Sequence, residues 1–352
     1  MNPSRDRTLS LCLLCGVLAT STALAGPYAP AAGQPGSSAI HKDDPAIVGW
    51  ADGYADYQVG ANVDPAWQTP SKALGAADGG SFDIVSLGRG GSITMTFPKP
   101  IADRAGPDLA VFENSINATF LELAFVEVSS NGTDFFRFDS DSLTAGPVGQ
   151  FGSVDPTDVT GLASKYAQGY GTPFDLADLA GVSPLFNRYG VRYVRIVDVV
   201  GDGSAADASG DPIYDPYPTV GSAGFDLDAV AVLNEALDGD ANLNNFVEFG
   251  DVSIVADHFG AGGEFVDGDF TGDGFVDADD LDVLEANFGA YIDESGLLVS
   301  PAGVGLESFA LDNVPEPGSL TLLGIAAMAV ARRGHASAPA VKQPLTPPVR
   351  RA

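Results

Sequence analysis

Residues Ala124–Phe138 read AFVEVSSNGTDFFRF, two runs of alternating character on either side of Asn131-Gly132. Asn-Gly is the strongest short hairpin signal, because both residues enter the left-handed region that a type I′ turn requires. The stretch is therefore expected to form a β-hairpin closed by such a turn. Working outward, strand-like runs recur between glycines and prolines, at Ser92–Phe97, Asp108–Asn114, Glu122–Ser129, Asp134–Phe138, Val191–Val199 and Phe225–Leu233. Helical periodicity is scarce across the same region. Many short strands with long irregular connections predict a mainly β fold, a jelly-roll-type β-sandwich over residues 26–236.

The 352-residue chain carries 47 acidic against 17 basic residues, a formal net charge of −30, and no Lys or Arg from Ile196 through Ala331. Such a surface repels a polyanion, so nucleic acid is excluded as a partner and divalent cations are the natural counterparts. Both cysteines, Cys12 and Cys15, fall in the apolar run LSLCLLCGVLATSTALA, behind Arg5 and Arg7 and ahead of Ala23-Leu24-Ala25. That layout is a signal peptide over residues 1–25, cut by signal peptidase after Ala25. The exported product then lacks cysteine, and its stability comes from core burial and metal rather than disulfides. A lipoprotein attachment at Cys15 is the alternative, although Leu14 stands where a small residue is expected.

Residues 314–335 read VPEPGSLTLLGIAAMAVARRGH. The apolar piece Ser319–Ala331 makes a helix of roughly 20 Å against a hydrocarbon core of about 30 Å, so it spans only with help from its flanks. Arg332 and Arg333 close it in the positive-inside sense. A buried hairpin helix is the other reading. Residues 297–313 read as a linker and 336–352 as a proline-rich, disordered tail.

Residues 237–296 hold an internal repeat. GDANLNNFVEFGDVSIVADHFG from Gly239 aligns without a gap on GDFTGDGFVDADDLDVLEANFG from Gly268, Asp240 standing 29 positions before Asp269. Oxygen-bearing residues recur at positions 1, 3, 5, 9 and 12 of each copy: Asp240, Asn242, Asn244, Glu248 and Asp251, then Asp269, Thr271, Asp273, Asp277 and Asp280. Phe246 and Phe275 offer backbone carbonyls at position 7. A twelve-residue loop with this spacing wraps a hard cation, since Ca²⁺ takes about six to eight oxygens at roughly 2.3–2.6 Å. Two Ca²⁺ ions are expected. Gly274 supplies the sharp turn at position 6, and Asn245 replaces it in the first copy, as Asn tolerates the left-handed region. Short helices follow with apolar stripes Val252, Val255, Phe259 and Leu281, Leu284, Phe288, each ending at a glycine, Gly260 or Gly289. A solvated acidic linker with Asp-Gly turns is the alternative.

Three resemblances rest on these residues. The loop-helix duplication with Asp at position 12 resembles a type I dockerin, which implies a calcium-folded module whose helix face docks onto a cohesin-type partner in polysaccharide-degrading assemblies. Val314-Pro315-Glu316-Pro317, the apolar run and the paired arginines resemble a PEP-CTERM sorting signal, with Pro315, Glu316 and Pro317 as the motif that an exosortase recognises. The hairpin with RYVRIVDV and FDLDAVAVL resembles galactose-binding-like jelly rolls and a cell-surface domain that often accompanies such tails; no sugar site carries over from those strands.

A second acidic constellation, Asp198, Asp202, Asp207, Asp211 and Asp215, follows a strand, and Asp226 and Asp228 share one side of the last strand by period-two alternation. Asp198, Asp202, Asp226 and Asp228 are a candidate third calcium site at the sandwich edge; a solvated loop is the alternative. Trp50, Tyr54, Tyr57, Trp67, Tyr214 and Tyr217 either stack on sugar rings or fill the core. His41, His258 and His335 stand beside no nucleophile, and no G-x-S-x-G or H-E-x-x-H occurs. The sequence thus describes an exported, cell-surface-associated, non-catalytic protein, membrane-anchored at its C-terminus, that binds calcium, with a polysaccharide or a cohesin-type domain as partner. The rival readings are a dockerin-bearing polysaccharide hydrolase, which needs only two carboxylates, and a calcium-stiffened matrix protein.

Overall fold

The computed structural model describes residues 25–293 and 295–300. The expected signal peptide up to Leu24, the linker beyond Ser300, the apolar tail segment and the disordered tail lie outside them.

Strands β1 (Ile40–His41), β2 (Gly49–Trp50), β3 (Gly53–Gln58), β4 (Val85–Ser86), β5 (Ser92–Ile101), β6 (Leu109–Glu113), β7 (Ala124–Ser129) and β8 (Phe136–Arg137) come first. They are followed by β9 (Asp141–Ser142), β10 (Val159–Thr160), β11 (Tyr170–Phe174), β12 (Val191–Asp198), β13 (Asp202–Ala206), β14 (Pro212–Tyr214) and β15 (Asp226–Val232). One antiparallel sheet runs β1-β11-β6-β15-β2, with β4 also on β15; the other runs β3-β5-β12-β7-β8. Their inward faces share one core, Leu109, Val111, Leu227, Val230 and Val232 from the first sheet against Ile93, Met95, Val126, Val128, Val194 and Ile196 from the second. Period-two alternation places these side chains inward, and two such faces bury each other, which is why the region folds as a β-sandwich.

Strands β6 and β15 are buried along their whole length. Ile40, Ile47 and Trp50 of the N-terminal segment cover the outer face of that pair, packing on Phe112, Ala229 and Ala231. On the second sheet, Glu127 of β7 sits across from Arg137 of β8 and Arg195 of β12. Its two carboxylate oxygens accept from both guanidinium groups, so a carboxylate in the middle of the sheet is matched by cross-strand partners.

The hairpin at Ala124–Phe138 forms, but not with a type I′ turn. Val128 pairs with Phe136, which leaves a loop far longer than two residues. Gly132 has φ +74° while Asn131 is not left-handed. Asn131 instead turns its side chain onto the backbone, Oδ1 accepting the amides of Thr133 and Asp134, both at 2.9 Å. An Asx turn has displaced the primed turn. Asn131→Ala removes that acceptor from both amides and is expected to lower stability by about 1 kcal/mol, read as a shifted denaturant midpoint.

The repeat forms helices α1 (Phe249–His258) and α2 (Ala278–Asn287), and the β16 (Tyr291–Ile292) and β17 (Leu298–Val299) pair follows. Each loop pairs with the chain beyond the other helix. The Val247 amide donates to the Ala290 carbonyl and the Gly289 amide to Val247; 29 positions away in register, the Val276 amide donates to Ala261 and the Gly260 amide to Val276. The sequence repeat has become a two-fold-related pair. Val252, Val255, Leu281, Leu284 and Phe288 are buried in the module's own core. Phe259 departs from the expected stripe and is exposed. Its counterpart Phe288 stacks edge-on against Phe249, ring centroids 5.1 Å apart, whereas Ala278 stands where Phe259 would need the equivalent ring. Gly260 and Gly289 follow the helices at φ +82° and +84°, the left-handed C′ position anticipated for them.

Candidate functional site

Both twelve-residue loops are built alike. In the first, buried Asp240 at position 1 accepts the amides of Asn244 at 3.0 Å and Asn245 at 2.8 Å. Buried Asp251 at position 12 accepts those of Asn242 at 3.0 Å and Glu248 at 2.8 Å. In the second, Asp269 accepts the Gly272 and Gly274 amides, both at 2.8 Å, and Asp280 accepts Phe270 and Thr271 at 2.9 Å and Asp277 at 2.8 Å. Position 12 is also the third residue of the following helix, so one carboxylate closes the loop and caps the helix through a capping box. Asn245 and Gly274 at position 6 have φ +70° and +87°, the sharp turn expected there. Asn242, Asn244 and Glu248, like Thr271 and Asp273, lie at the surface, with Asp277 half-buried. The Phe246 and Phe275 amides donate to the position-5 side chains, Asn244 and Asp273, both at 2.9 Å. Burial, reinforced by the Asp251 charge, pushes the Asp240 carboxyl up to about 7, and burial also raises Asp251. Among the described residues, three acidic side chains converge to within 4.8 Å only in the sandwich, at Asp103–Asp108–Asp175 and Glu113–Glu122–Asp226. No three carboxyls of either repeat loop come that close.

The expected quartet Asp198, Asp202, Asp226 and Asp228 does not form one site. Asp198 is buried and accepts the Gly90 amide at 2.8 Å and the Phe225 amide at 2.7 Å. Asp228 accepts the amides of Asp78 and Gly79 at 3.0 and 2.9 Å. Asp202 is exposed and turns onto the Ser204 amide. Asp207 and Asp215 likewise accept buried amides, of Ser142 and Leu123. These acids staple loops to strands because a buried N–H without a partner is costly and a carboxylate supplies two acceptors. Asp226 converges with two other carboxyls, Glu113 and Glu122, which sequence reasoning missed. A signal existed: Glu113 ends the otherwise apolar LAVFE, and Glu122 stands between two buried leucines.

Two of those carboxyls, Glu122 and Asp226, line a cleft of about 430 Å³ together with Trp67, Phe82, Phe120 and Phe151 among others. Trp67 stacks on Phe82 with ring centroids 6.3 Å apart, and Phe82 and Phe151 are exposed. Of the six aromatic residues singled out in the sequence, Trp67 lines this cleft; Trp50 packs on Phe112 and Tyr57 donates to the Ser86 carbonyl at the core edge. Burial, then the neighbouring carboxyls, holds Glu113 and Glu122 well above the usual carboxylate range, and burial pushes Asp226 up to about 7. The other cluster is already matched: Asp103 pairs with Arg188 at 2.8 Å, and Asp108 accepts the Arg104 and Leu176 amides and the Asn234 side chain. His41 accepts the Asp43 amide, and His258 sits against the Ile254 carbonyl.

Residues 313–334 match the PEP-CTERM protein-sorting motif. A search of curated proteins finds no match. The motif spans the Pro315-Glu316-Pro317 signature and the apolar run to Arg333, and it marks the chain as exported, sorted to the cell surface and processed by an exosortase at a C-terminal anchor. Among the described residues no helix is long and apolar enough to cross a membrane.

Proposed function

We propose that this surface-sorted protein is a non-catalytic binder whose repeat is folded by two Ca²⁺ ions. One observation carries the reading. The position-1 and position-12 carboxylates of both loops are buried in a segment without a single Lys or Arg, and the sandwich cations that reach the module pair with Asp238 and Glu264 instead, which favours a cation from solution as their balance. The loops hold the ligands on the hydrogen-bonded frame of an oxygen cage, and the swing of Asp273, Asp277 and Glu248 inward closes it. In keeping with the dockerin resemblance, the helix pair then presents a face to a cohesin-type domain, while the aromatic cleft of the sandwich takes a polysaccharide by ring stacking. Calorimetric titration of the full-length protein tests the first step: tight calcium binding to the repeat and a melting temperature that falls in chelator are expected, and identical melting with calcium and with chelator sinks the proposal.

A second reading is favoured by the buried carboxyls in that same cleft. Two acids of raised pKa beside a sugar-stacking surface also suit glycoside hydrolysis. Zymography on polysaccharide panels separates the two, since chain cleavage would identify a hydrolase.

A further inference from the structure

Glu122, on the stretch leading into β7, and Asp226, at the start of β15, line the aromatic cleft, and Glu113, at the end of β6, meets them from beneath. The exposures of Glu113, Glu122 and Asp226 are 1%, 5% and 2%, and an oxygen of each lies within 4.8 Å of the others. Hydrogen bonds account for part of this acceptor capacity. Glu113 Oε2 accepts the Ser115 amide at 2.7 Å and the Ser164 hydroxyl at 2.9 Å, and Asp226 Oδ1 accepts the Ser86 hydroxyl. Glu122 Oε1 is buried and has no partner. The groups that act most strongly on the trio are other carboxyls and hydrogen-bond donors. An acceptor left bare in the interior costs about 1–3 kcal/mol, more when charged, whereas buried Asp198, Asp215 and Asp228 accept amides and buried Asp103 and Glu127 pair with arginines. The bare oxygen of Glu122, turned into the cleft beside two further carboxyls, is therefore the mark of a missing positive partner.

We propose that Glu113, Glu122 and Asp226 bind a hard divalent cation, Ca²⁺, at the floor of this cleft. The donor set is oxygen throughout: Asn114, Thr219 and Ser222 line the same cleft and supply neutral oxygens, and there is no His or Cys to favour zinc. Three buried carboxylates suit calcium, which accepts many protein oxygens in flexible geometry, better than magnesium, which retains most of its water. The ion ties the three segments together beneath the aromatic rim. This site is independent of the repeat and differs from the quartet expected from sequence, sharing only Asp226 with it.

The chain's two tryptophans supply a selective readout. Both, Trp50 and Trp67, belong to the sandwich; the repeat has none, and Trp67 lines this cleft. Terbium added to the full-length protein in place of calcium is expected to show tryptophan-sensitised emission that excess calcium displaces. Glu122→Gln should weaken terbium affinity at this site by more than about tenfold, and Trp67→Phe should remove the emission while leaving calcium affinity intact. Absence of sensitised emission from the unsubstituted protein, or unchanged affinity in Glu122→Gln, overturns the proposal. Stoichiometry gives a second reading that needs no variant. Three calcium ions per chain, or one accompanied by the tryptophan signal where the repeat fails to bind, support this site; two without that signal refute it and leave the repeat reading standing.

Discussion

Asp280→Ala is expected to remove one of the two calcium sites proposed for the repeat and to unfold α2 and its loop. Asp280 is fully buried, and its two oxygens hold three amides, those of Phe270, Thr271 and Asp277. The substitution therefore strands the buried Phe270 amide and the part-buried amides of Thr271 and Asp277 and removes the helix cap, a loss of about 3 kcal/mol before any metal is counted. Loss of the position-12 ligand then leaves the loop unclosed. A purely structural cap and a metal ligand are told apart by comparing the variant with and without calcium. If Asp280 is a ligand, the gap in melting temperature between variant and unsubstituted protein widens as calcium is added, because only the latter gains binding energy. A gap independent of calcium would reduce Asp280 to a helix cap. Since each loop pairs with the strand-like segment beyond the other helix, damage to the second loop should also weaken the first, and Asp251→Ala should behave in mirror fashion.

The sandwich is expected to be more stable in mild acid than above neutrality when chelator is present. Burial pushes Asp108 and Asp198 each up to about 7, above the unfolded value of about 3.9. Between those two values the folded state holds protons that the unfolded chain has released. This contribution is complete below about pH 4 and is lost as pH rises through about 7, with a size of about 2–4 kcal/mol for each group. Chemical denaturation at pH 5 and pH 8 measures it, and a flat or rising profile would contradict it. Asp198→Asn should flatten the slope, since the amide keeps an acceptor for the Gly90 or Phe225 amide while removing the titration.

The alternating runs were enough to place six of the strands to within a few residues, because a half-buried pleat leaves its period in the sequence. The tight turn at Asn131-Gly132 was misread for a local reason: the Asn side chain competes for the same amides that a primed turn would leave to the partner strand. The apolar stripe misassigned Phe259 because a helix face is buried only where a neighbour meets it: Phe288 meets Phe249, and the position equivalent to Phe249 in the other copy is Ala278.

Legibility of the sites follows the same division. The frame of the repeat loops was readable, the left-handed turn at position 6 and the buried acids at positions 1 and 12, since each loop lies within twelve consecutive residues. Sorting was readable too, being written in one contiguous motif near the C-terminus. The cleft was not: Glu113, Glu122 and Asp226 lie on segments separated by up to about a hundred residues, and antiparallel pairing of β6 with β15 is what brings two of them together. The sequence alone therefore determined the local devices, strands, loops and signals, whose geometry depends on neighbours along the chain. Which buried carboxyls meet, and which of them is left without a partner, was decided only when the two sheets closed, because burial and convergence are properties of distant segments brought into contact.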